Sequence, residues 1–454
     1  MPLRELGSAD AALFATLRAR VGERYPVWLD SAVAGPLGRT SILAACPQET
    51  LVLWGDGRLE GSAAATTFSG ALDQWWRSLA LPLEVATAQW PFRGGWILYL
   101  AYEFARELEP TLTLPAAAAD APLAVAMRVP AALLLDAASG RLNALAEPGS
   151  DSLLDILEAD CARYRGHALD HEALPTAAIL EDDPREFERA VTRAHEYIAA
   201  GDIYQANLSR RWRVRFEAPA APAAIYQQLR RANPAPFAAW ADLPGLVLFS
   251  SSPERLVQVQ GARIETRPIA GTRPRSRQLG ADSAEQAGLL AHPKERAEHV
   301  MLIDLERNDL GRICQPGTVE VSEFMVTESY AHVHHIVSGV RGLLRPGLAP
   351  GAVLRALFPG GTITGCPKYR SMQIIGELEG APRGAYTGSL GYLNRDGSMD
   401  LNILIRTLSA SRGQLEFRAG AGIVADSNFA RELEETRAKA RGLLRAFATA
   451  ALPA

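Results

Sequence analysis

Three short strand-like runs, separated by residues that force turns, limit what the middle of this chain can become. Leu246 to Phe249 and Arg255 to Val259 read as strands on either side of Ser250-Ser-Ser-Pro-Glu-Arg255. Gln260-Gly261 supplies a hairpin turn into Ala262 to Thr266. That pairing brings Glu254 to the same end of the hairpin as Thr266-Arg267. There the chain enters Arg267-Pro-Ile-Ala-Gly-Thr-Arg-Pro-Arg275, an apolar turn that two prolines stiffen on both sides. Gly271 lets backbone approach a ligand closely, and Thr272 offers an N–H and a hydroxyl. Taken alone, the stretch is either a ligand-facing turn or an ordinary Pro/Gly connection, and Glu254 is either a site carboxylate or a surface one.

Composition sets the outer limits. The 454 residues are 48% hydrophobic and 22% charged. That suits a soluble globular protein with ample core, in one large α/β or α+β body or in two or three domains. Net charge is −4, and no basic block or aromatic-basic alternation occurs, which argues against a nucleic-acid partner. Met1 to Asp10 lack a cationic region followed by an apolar one, and no apolar run reaches ~18 residues, so no membrane association is expected. Cys46, Cys161, Cys314 and Cys366 show neither metal spacing nor a disulfide framework, and fit reduced thiols in the cytoplasm.

In chain order, short strands are expected at Pro26 to Ser31 and Leu51 to Trp54, and Gly94 to Ala101 reads as a buried strand or the start of a helix. Trp28, Trp54, Trp75, Trp76, Trp90 and Trp96 all fall in this part and are expected to pack in the core. The composition shift from Leu174-Pro175 to Asp183-Pro184 reads as a linker. Pro184 suits the first turn of a helix whose Phe187, Ala190, Val191, Ala194 and Ile198 share a face, with Gly201-Asp202 ending it. In the strand that follows, Ile203 to Leu208, alternation puts Gln205 and Asn207 on one face. If buried, two such amides must find hydrogen-bond partners, in the protein or in a ligand.

Two acidic pairs sit on expected helices. Glu295 and Glu298 share a face of Lys294 to about Leu305. Glu432 and Glu435 repeat that spacing on a helix capped by Asp426-Ser427 and running to about residue 448, with Lys439 one turn beyond. Either pair alone is an ordinary solvated face. Brought together at ~4 Å, like charges repel by about 4 kcal/mol at an effective dielectric of about 20, so a cluster would need a cation. Oxygen-only ligands select a hard ion such as Mg²⁺. Tyr330 to Ser338 reads as a strand with His332 and His334 on one face and His335 on the other, and no further ligand is placed to complete a zinc site. Phe358-Pro-Gly-Gly-Thr-Ile-Thr-Gly-Cys-Pro-Lys368 is a glycine-rich loop feeding a helix that stops at Gly380. It can hold an anion at the helix N-terminus but lacks the ending of a nucleotide-triphosphate loop. Asn402 to Leu408 reads as a strand bearing Arg406, and Gly420-Ala-Gly422 as a tight turn after the strand Gln414 to Arg418.

These pieces resemble a known family. S-P-E-R (252–255), R-P-I-A-G-T-R-P-R (267–275), A-E-H-V-M-L-I-D-L-E-R-N-D (297–309), G-T-I-T-G-C-P-K (361–368), I-R-T (405–407), A-G-A-G-I-V (419–424) and E-E-T-R-A-K-A (434–440) are similar to the chorismate-binding core of anthranilate synthase component I, aminodeoxychorismate synthase component I and the isochorismate synthases. The resemblance implies an α+β fold, with large antiparallel or mixed sheets packed face to face and helices outside. It implies a catalytic core over residues 178–454 and an N-terminal region, 1–177, that completes the sheets.

The same resemblance assigns roles. Glu295, Glu298, Glu432 and Glu435 look like the Mg²⁺ site that holds the ring carboxylate of chorismate. Arg406, Tyr386, Lys439 and the backbone of Gly420, Ala421 and Gly422 look like the cradle for the substrate's carboxylates, with Gln205 also lining the site. Gly271, Thr272, Thr362 and His335 would complete the pocket around the ring, His335 and Thr272 counting with Glu254 as catalytic. Glu254 resembles the general acid that protonates the departing hydroxyl, a role typically worth ~10²–10⁴-fold.

Isochorismate and salicylate synthases carry a lysine base at the position of Gln205. A glutamine cannot deprotonate water and ammonia needs no base, so the resemblance favours an ammonia user supplied by a separate glutaminase subunit. Y-Q-A-N-L (204–208), F-P-G-G-T-I-T-G (358–365) and V-W-L-D-S (27–31) look like aminodeoxychorismate synthase, which places nitrogen at C4 on the way to p-aminobenzoate and folate. Ala270 instead matches anthranilate synthases, which aminate C2 and eliminate pyruvate. Many aminodeoxychorismate synthases have a lysine there, thought to attack C2 covalently. A non-catalytic chorismate-binding regulator is the alternative of another class. Glu254 speaks against it, because a binder needs no proton donor, and Gln205 speaks against a fused salicylate-forming lyase.

Overall fold

Strand Gly95–Leu100 is buried at every position, and its two faces belong to different cores. Trp96, Leu98 and Leu100 face outward onto helices, whereas Ile97 and Tyr99 pack toward a second sheet. Ala131–Asp136 repeats this in the opposite sheet, with Leu133 under helices and Leu134 between the sheets. Such runs lack polar alternation because both of their faces are covered. The computed structural model describes residues 2–33, 38–61, 65–82, 89–167, 169, 173–274, 288, 293–329 and 333–447.

Among the described residues one sheet has 12 strands and the other 11. The first is ordered Leu3–Ser8, Arg141–Ala146, Ala131–Asp136, Thr40–Ala45, Val27–Asp30, Phe237–Leu243, Leu246–Ser252, Thr407–Ser411, Gln414–Ile423, Gln205–Phe216 and Ala177–Glu181, with Gly365-Cys366 added beside Gln205. In the second, Ile269–Pro274 and Glu320–Ser329 flank Val333–Leu343. Arg263–Thr266, Arg255–Gln260, Met399–Asn402, Ser389–Asn394, Gly95–Leu100, Pro122–Val129, Thr50–Trp54 and Leu59–Glu60 follow in that order. The ladders that join early to late chain are antiparallel, as in Trp28 opposite Trp240 and Tyr99 opposite Leu390. This is the expected α+β architecture of face-to-face sheets with outer helices. No helix among the described residues is long and apolar enough to cross a membrane.

Several local expectations are corrected. The stretch read as a linker contains Ala177–Glu181, an edge strand on Gln205–Phe216; its exposed, polar flanks hide it from a pattern search. The helix expected to end near Leu305 runs Pro293–Gly311, because buried Leu310 continues its apolar face through Arg307-Asn308-Asp309. Asn428, not Asp426-Ser427, caps helix Phe429–Leu444, accepting from the N–H groups of Ala430 (3.1 Å) and Arg431 (3.4 Å). Gly420-Ala-Gly422 is no turn but the end of one strand, Gln414–Ile423. Asn402 to Leu408 is not one strand either. Met399–Asn402 lies in one sheet, Thr407–Ser411 in the other, and Ile403 to Arg406 crosses between them.

A buried charge cluster ties this framework together behind Gln205–Phe216. Glu379 accepts from the Ser209 N–H (2.8 Å) and from Arg383 Nη2 (2.6 Å), and Arg418 lies 3.3 Å away. Arg383 also donates to the carbonyls of Asn207 (2.6 Å) and Ile363 (3.3 Å). Burial alone would raise the Glu379 pKa, but the two guanidinium groups outweigh it and hold the carboxyl below its ordinary range. Glu379→Ala strands both arginines and is expected to cost about 3–5 kcal/mol in chemical denaturation. Because the folded pKa is depressed, this stabilisation is present above the unfolded carboxylate pKa and is lost as pH falls through the folded one. The acid-labile component should be smaller in the variant.

Candidate active site

Leu246–Ser252 belongs to one sheet and Arg255–Gln260 to the other, so the chain changes sheets at Pro253-Glu254. Ile403 to Arg406 makes a neighbouring crossing. The two are tied by the Ile403 N–H to the Glu254 carbonyl (3.0 Å), Ser252 Oγ to the Ile403 carbonyl (2.5 Å) and the Ser251 N–H to the Arg406 carbonyl (3.1 Å). Arg406 has φ 51°, a left-handed conformation a non-glycine residue adopts only under constraint. Paired crossings therefore bring Glu254 and Arg406 to one place.

The Glu254 carboxyl is buried, at 4% exposure. It accepts from Thr362 Oγ1 at 2.8 Å and hydrogen-bonds the Ile269 backbone, as the hairpin register predicts. Burial pushes its pKa up to about 7, against the opposing pull of these hydrogen bonds and of Lys439 and Arg406. An acid poised there can hold a proton for transfer near neutrality.

The sequence of Arg267-Pro-Ile-Ala-Gly-Thr-Arg-Pro-Arg275 reads as a turn; Ile269–Pro274 is instead an edge strand of the 11-stranded sheet. Gly271 has φ 65°, and the register against Val333–Leu343 slips between Ala270 and Thr272. This is a bulge whose left-handed position calls for glycine. His335 stands opposite Thr272 in that ladder and hydrogen-bonds the Gly271 backbone. Burial, then Arg406, lowers the His335 pKa to about 3, so its imidazole is neutral. Arg267 turns out to be structural, paired with Glu328 at 2.5 Å and with Glu323. The side chains of Thr272 and Arg273, and the whole of Arg275 and His332, lie outside the described residues. His334 hydrogen-bonds Ser329 at 2.7 Å.

The floor comes from Gln205–Phe216 and Gln414–Ile423, paired so that Asn207 faces Gly422 and Ser209 faces Gly420. A Cβ on Gly420 would lie 2.6 Å from both Asn207 Oδ1 and the Tyr386 hydroxyl, and one on Gly422 would lie 2.6 Å from Gln205 Nε2. The two glycines are thus what lets the amides and Tyr386 lie against the sheet. Ala421 points the other way, into an apolar cluster with Ala206, Leu208 and Ile423, so only its backbone faces this side. Lys439 donates to the Gly420 carbonyl at 2.8 Å and pairs with Glu435 at 2.8 Å.

Glu295 and Glu298 lie on helix Pro293–Gly311, Glu432 and Glu435 on helix Phe429–Leu444. Their all-carboxylate chemistry suits a hard divalent cation. Among the described residues, however, no three His, Cys, Asp or Glu side chains are gathered closely enough to hold a metal. Glu435 is engaged by Lys439 instead.

A family model described as chorismate binding enzyme matches residues 39–445. The chain belongs to the chorismate-binding enzymes. It is 38% identical over 459 aligned positions to anthranilate synthase component 1 of Thermus thermophilus, covering 98% of this chain and 97% of that one. It is 47% identical over 260 positions to aminodeoxychorismate synthase component 1 of Bacillus subtilis, covering 57% and 55%. The crystal structure of anthranilate synthase component I from Streptococcus pneumoniae matches with TM-score 0.78 at 30% identity, covering 90% of this chain and 93% of that chain.

One residue of this chorismate-family site does not stand out in the sequence. Glu306, 7% exposed, lies on helix Pro293–Gly311 near Asp309, whose carboxylate is paired with Lys368. Burial foremost, then Asp309, raises its pKa to about 7, and it is within electrostatic reach of Glu254. The signal available was its spacing, three helical turns beyond Glu295 on the same face. Infrared difference spectra through a pH titration should show buried carboxyl bands lost near pH 7, with Glu254→Gln removing one of them. An unchanged spectrum in that variant would mean Glu254 is already ionised.

Proposed function

We propose that this member of the family aminates chorismate with ammonia at C4, giving 4-amino-4-deoxychorismate for the p-aminobenzoate and folate branch. A glutaminase subunit supplies the ammonia. The observation that carries the reading is a buried Glu254 carboxyl, bonded to Thr362, on a wall that offers amides, Gln205 and Asn207, in place of a basic side chain. Glu254 gives its proton to the departing hydroxyl, which leaves as water. Lys439, Arg406 and the backbone at Gly420 to Gly422 hold the substrate carboxylates, and neutral His335 packs beside the ring at Gly271. Mg²⁺ belongs to this reading: Glu295, Glu298, Glu432 and Glu435 would hold it, some directly and others through water, and it would supply charge neutralisation for the ring carboxylate.

A second reading is anthranilate synthase component I, with amination at C2 and loss of pyruvate. Ala270 favours it, since its methyl group can form no covalent adduct, and so do the names of the Thermus and Streptococcus relatives. Incubation with chorismate, Mg²⁺ and an ammonium salt separates the two. The proposal expects chorismate loss without anthranilate, and p-aminobenzoate only after a C4-product lyase is added. Anthranilate plus pyruvate from the protein alone would overturn it. Glu254→Gln should retain chorismate binding but lose turnover by ~10²-fold or more. Glu298→Ala and Glu435→Ala should raise the Mg²⁺ concentration needed for half-maximal rate; an unchanged requirement removes these residues from the metal site.

A further inference from the structure

Asn207 and Gln205 carry an unusual debt. Both side chains are at least nine-tenths buried, yet Asn207 Oδ1 and Gln205 Oε1 have no hydrogen-bond partner among the described residues. Buried amide oxygens are almost always satisfied, so two on one face of one strand call for a donor that binds there. The donor side of Asn207 is already used: its Nδ2 points to the Thr362 carbonyl at 3.4 Å, and the Thr362 hydroxyl donates to Glu254 at 2.8 Å. Asn207 therefore stands one residue away from the acid. Gln205 lies two positions nearer the start of the strand, next to Tyr204, which is 71% exposed. Strand geometry separates the two amides by roughly 7 Å.

Resting on the amination reading, we propose that the Asn207 side-chain oxygen receives ammonia beside the reacting carbon, with the Gln205 oxygen as the preceding step from the surface. The vacant groups are acceptors. Ammonia has three N–H donors and one lone pair, so it can satisfy an acceptor and keep the lone pair free for attack. Water that donates both protons to such acceptors still needs a base to become a nucleophile, and neither amide is one. In the step itself, the nitrogen lone pair forms the C–N bond as the C–O bond breaks. The hydroxyl takes the Glu254 proton and leaves as water, and the new C–NH₃⁺ group returns one proton to the Glu254 carboxylate. Ammonia is consumed, water is released and the acid is restored.

The experiment is steady-state kinetics with ammonium salts at saturating chorismate, on wild type, Asn207→Leu and Gln205→Met, with chorismate binding measured by calorimetry. Each substitution removes the acceptor and roughly keeps the volume. The expected result is an ammonia KM raised about tenfold in Asn207→Leu and several-fold in Gln205→Met, with chorismate affinity little changed. If Asn207→Leu no longer binds chorismate, Gln205→Met decides by the same criterion. An unchanged ammonia KM, or one that rises only in step with lost chorismate affinity, would overturn the inference. Wild-type protein that consumes no chorismate with ammonia would instead sink the amination reading itself.

Discussion

Two strand-to-strand crossings, side by side and hydrogen-bonded to each other, set Glu254 and Arg406 together at the centre of the candidate site. At Pro253-Glu254 and again at Ile403 to Arg406 the chain leaves one sheet for the other. Glu254, at the first of these crossings, is enclosed between the sheets, so its carboxyl is dry. That is what raises the Glu254 pKa, and why the cationic Arg406 beside it does not cancel the effect. The left-handed backbone at Arg406 is the conformational cost of the arrangement, held by the hydrogen bonds between the crossings.

The remaining parts depend on that geometry in turn. Glycines at 420 and 422 let the floor strands carry Gln205, Asn207 and Tyr386 against them, and the Glu379–Arg383 cluster pins the same strand from behind. Arg383 reaches both the Asn207 and Ile363 carbonyls, so the loop that delivers Thr362 to Glu254 and the strand that delivers Asn207 share one anchor. A hydrogen-bonded buried network of this kind specifies a single arrangement more than it adds stability.

Much of this was legible in the sequence, for identifiable reasons. The hairpin from Leu246 to Thr266 has local turn chemistry, and its register alone predicted that Glu254 meets the start of Arg267-Pro-Ile-Ala-Gly. Helix Pro184–Ala199 shows its periodicity and its proline start. What failed was long-range. The crossing at Ile403 to Arg406 looks like continuous strand because nothing local marks a change of sheet. Gly420-Ala-Gly422 looks like a turn because the need for glycine comes from Asn207, Tyr386 and Gln205, residues distant in sequence. Local polarity ends the helix near Leu305, whereas Leu310 is held by tertiary packing that local polarity does not announce. Glu306 stays hidden in the sequence because a carboxylate on a helix reads as solvated unless its burial is known.

The order of strands in the two sheets has a consequence for how the molecule comes into being. Gly95–Leu100 pairs with Ser389–Asn394, and Val27–Asp30 with Phe237–Leu243. A nascent chain that has emerged only as far as residue 200 therefore holds apolar strands whose partners have not been synthesised. Their open edges are templates for wrong pairing. Contacts so distant in sequence make assembly slow, and the paired crossings close only after the last strands arrive. During synthesis these edges stay open until their partners arrive, and the site exists only once nearly the whole chain is out.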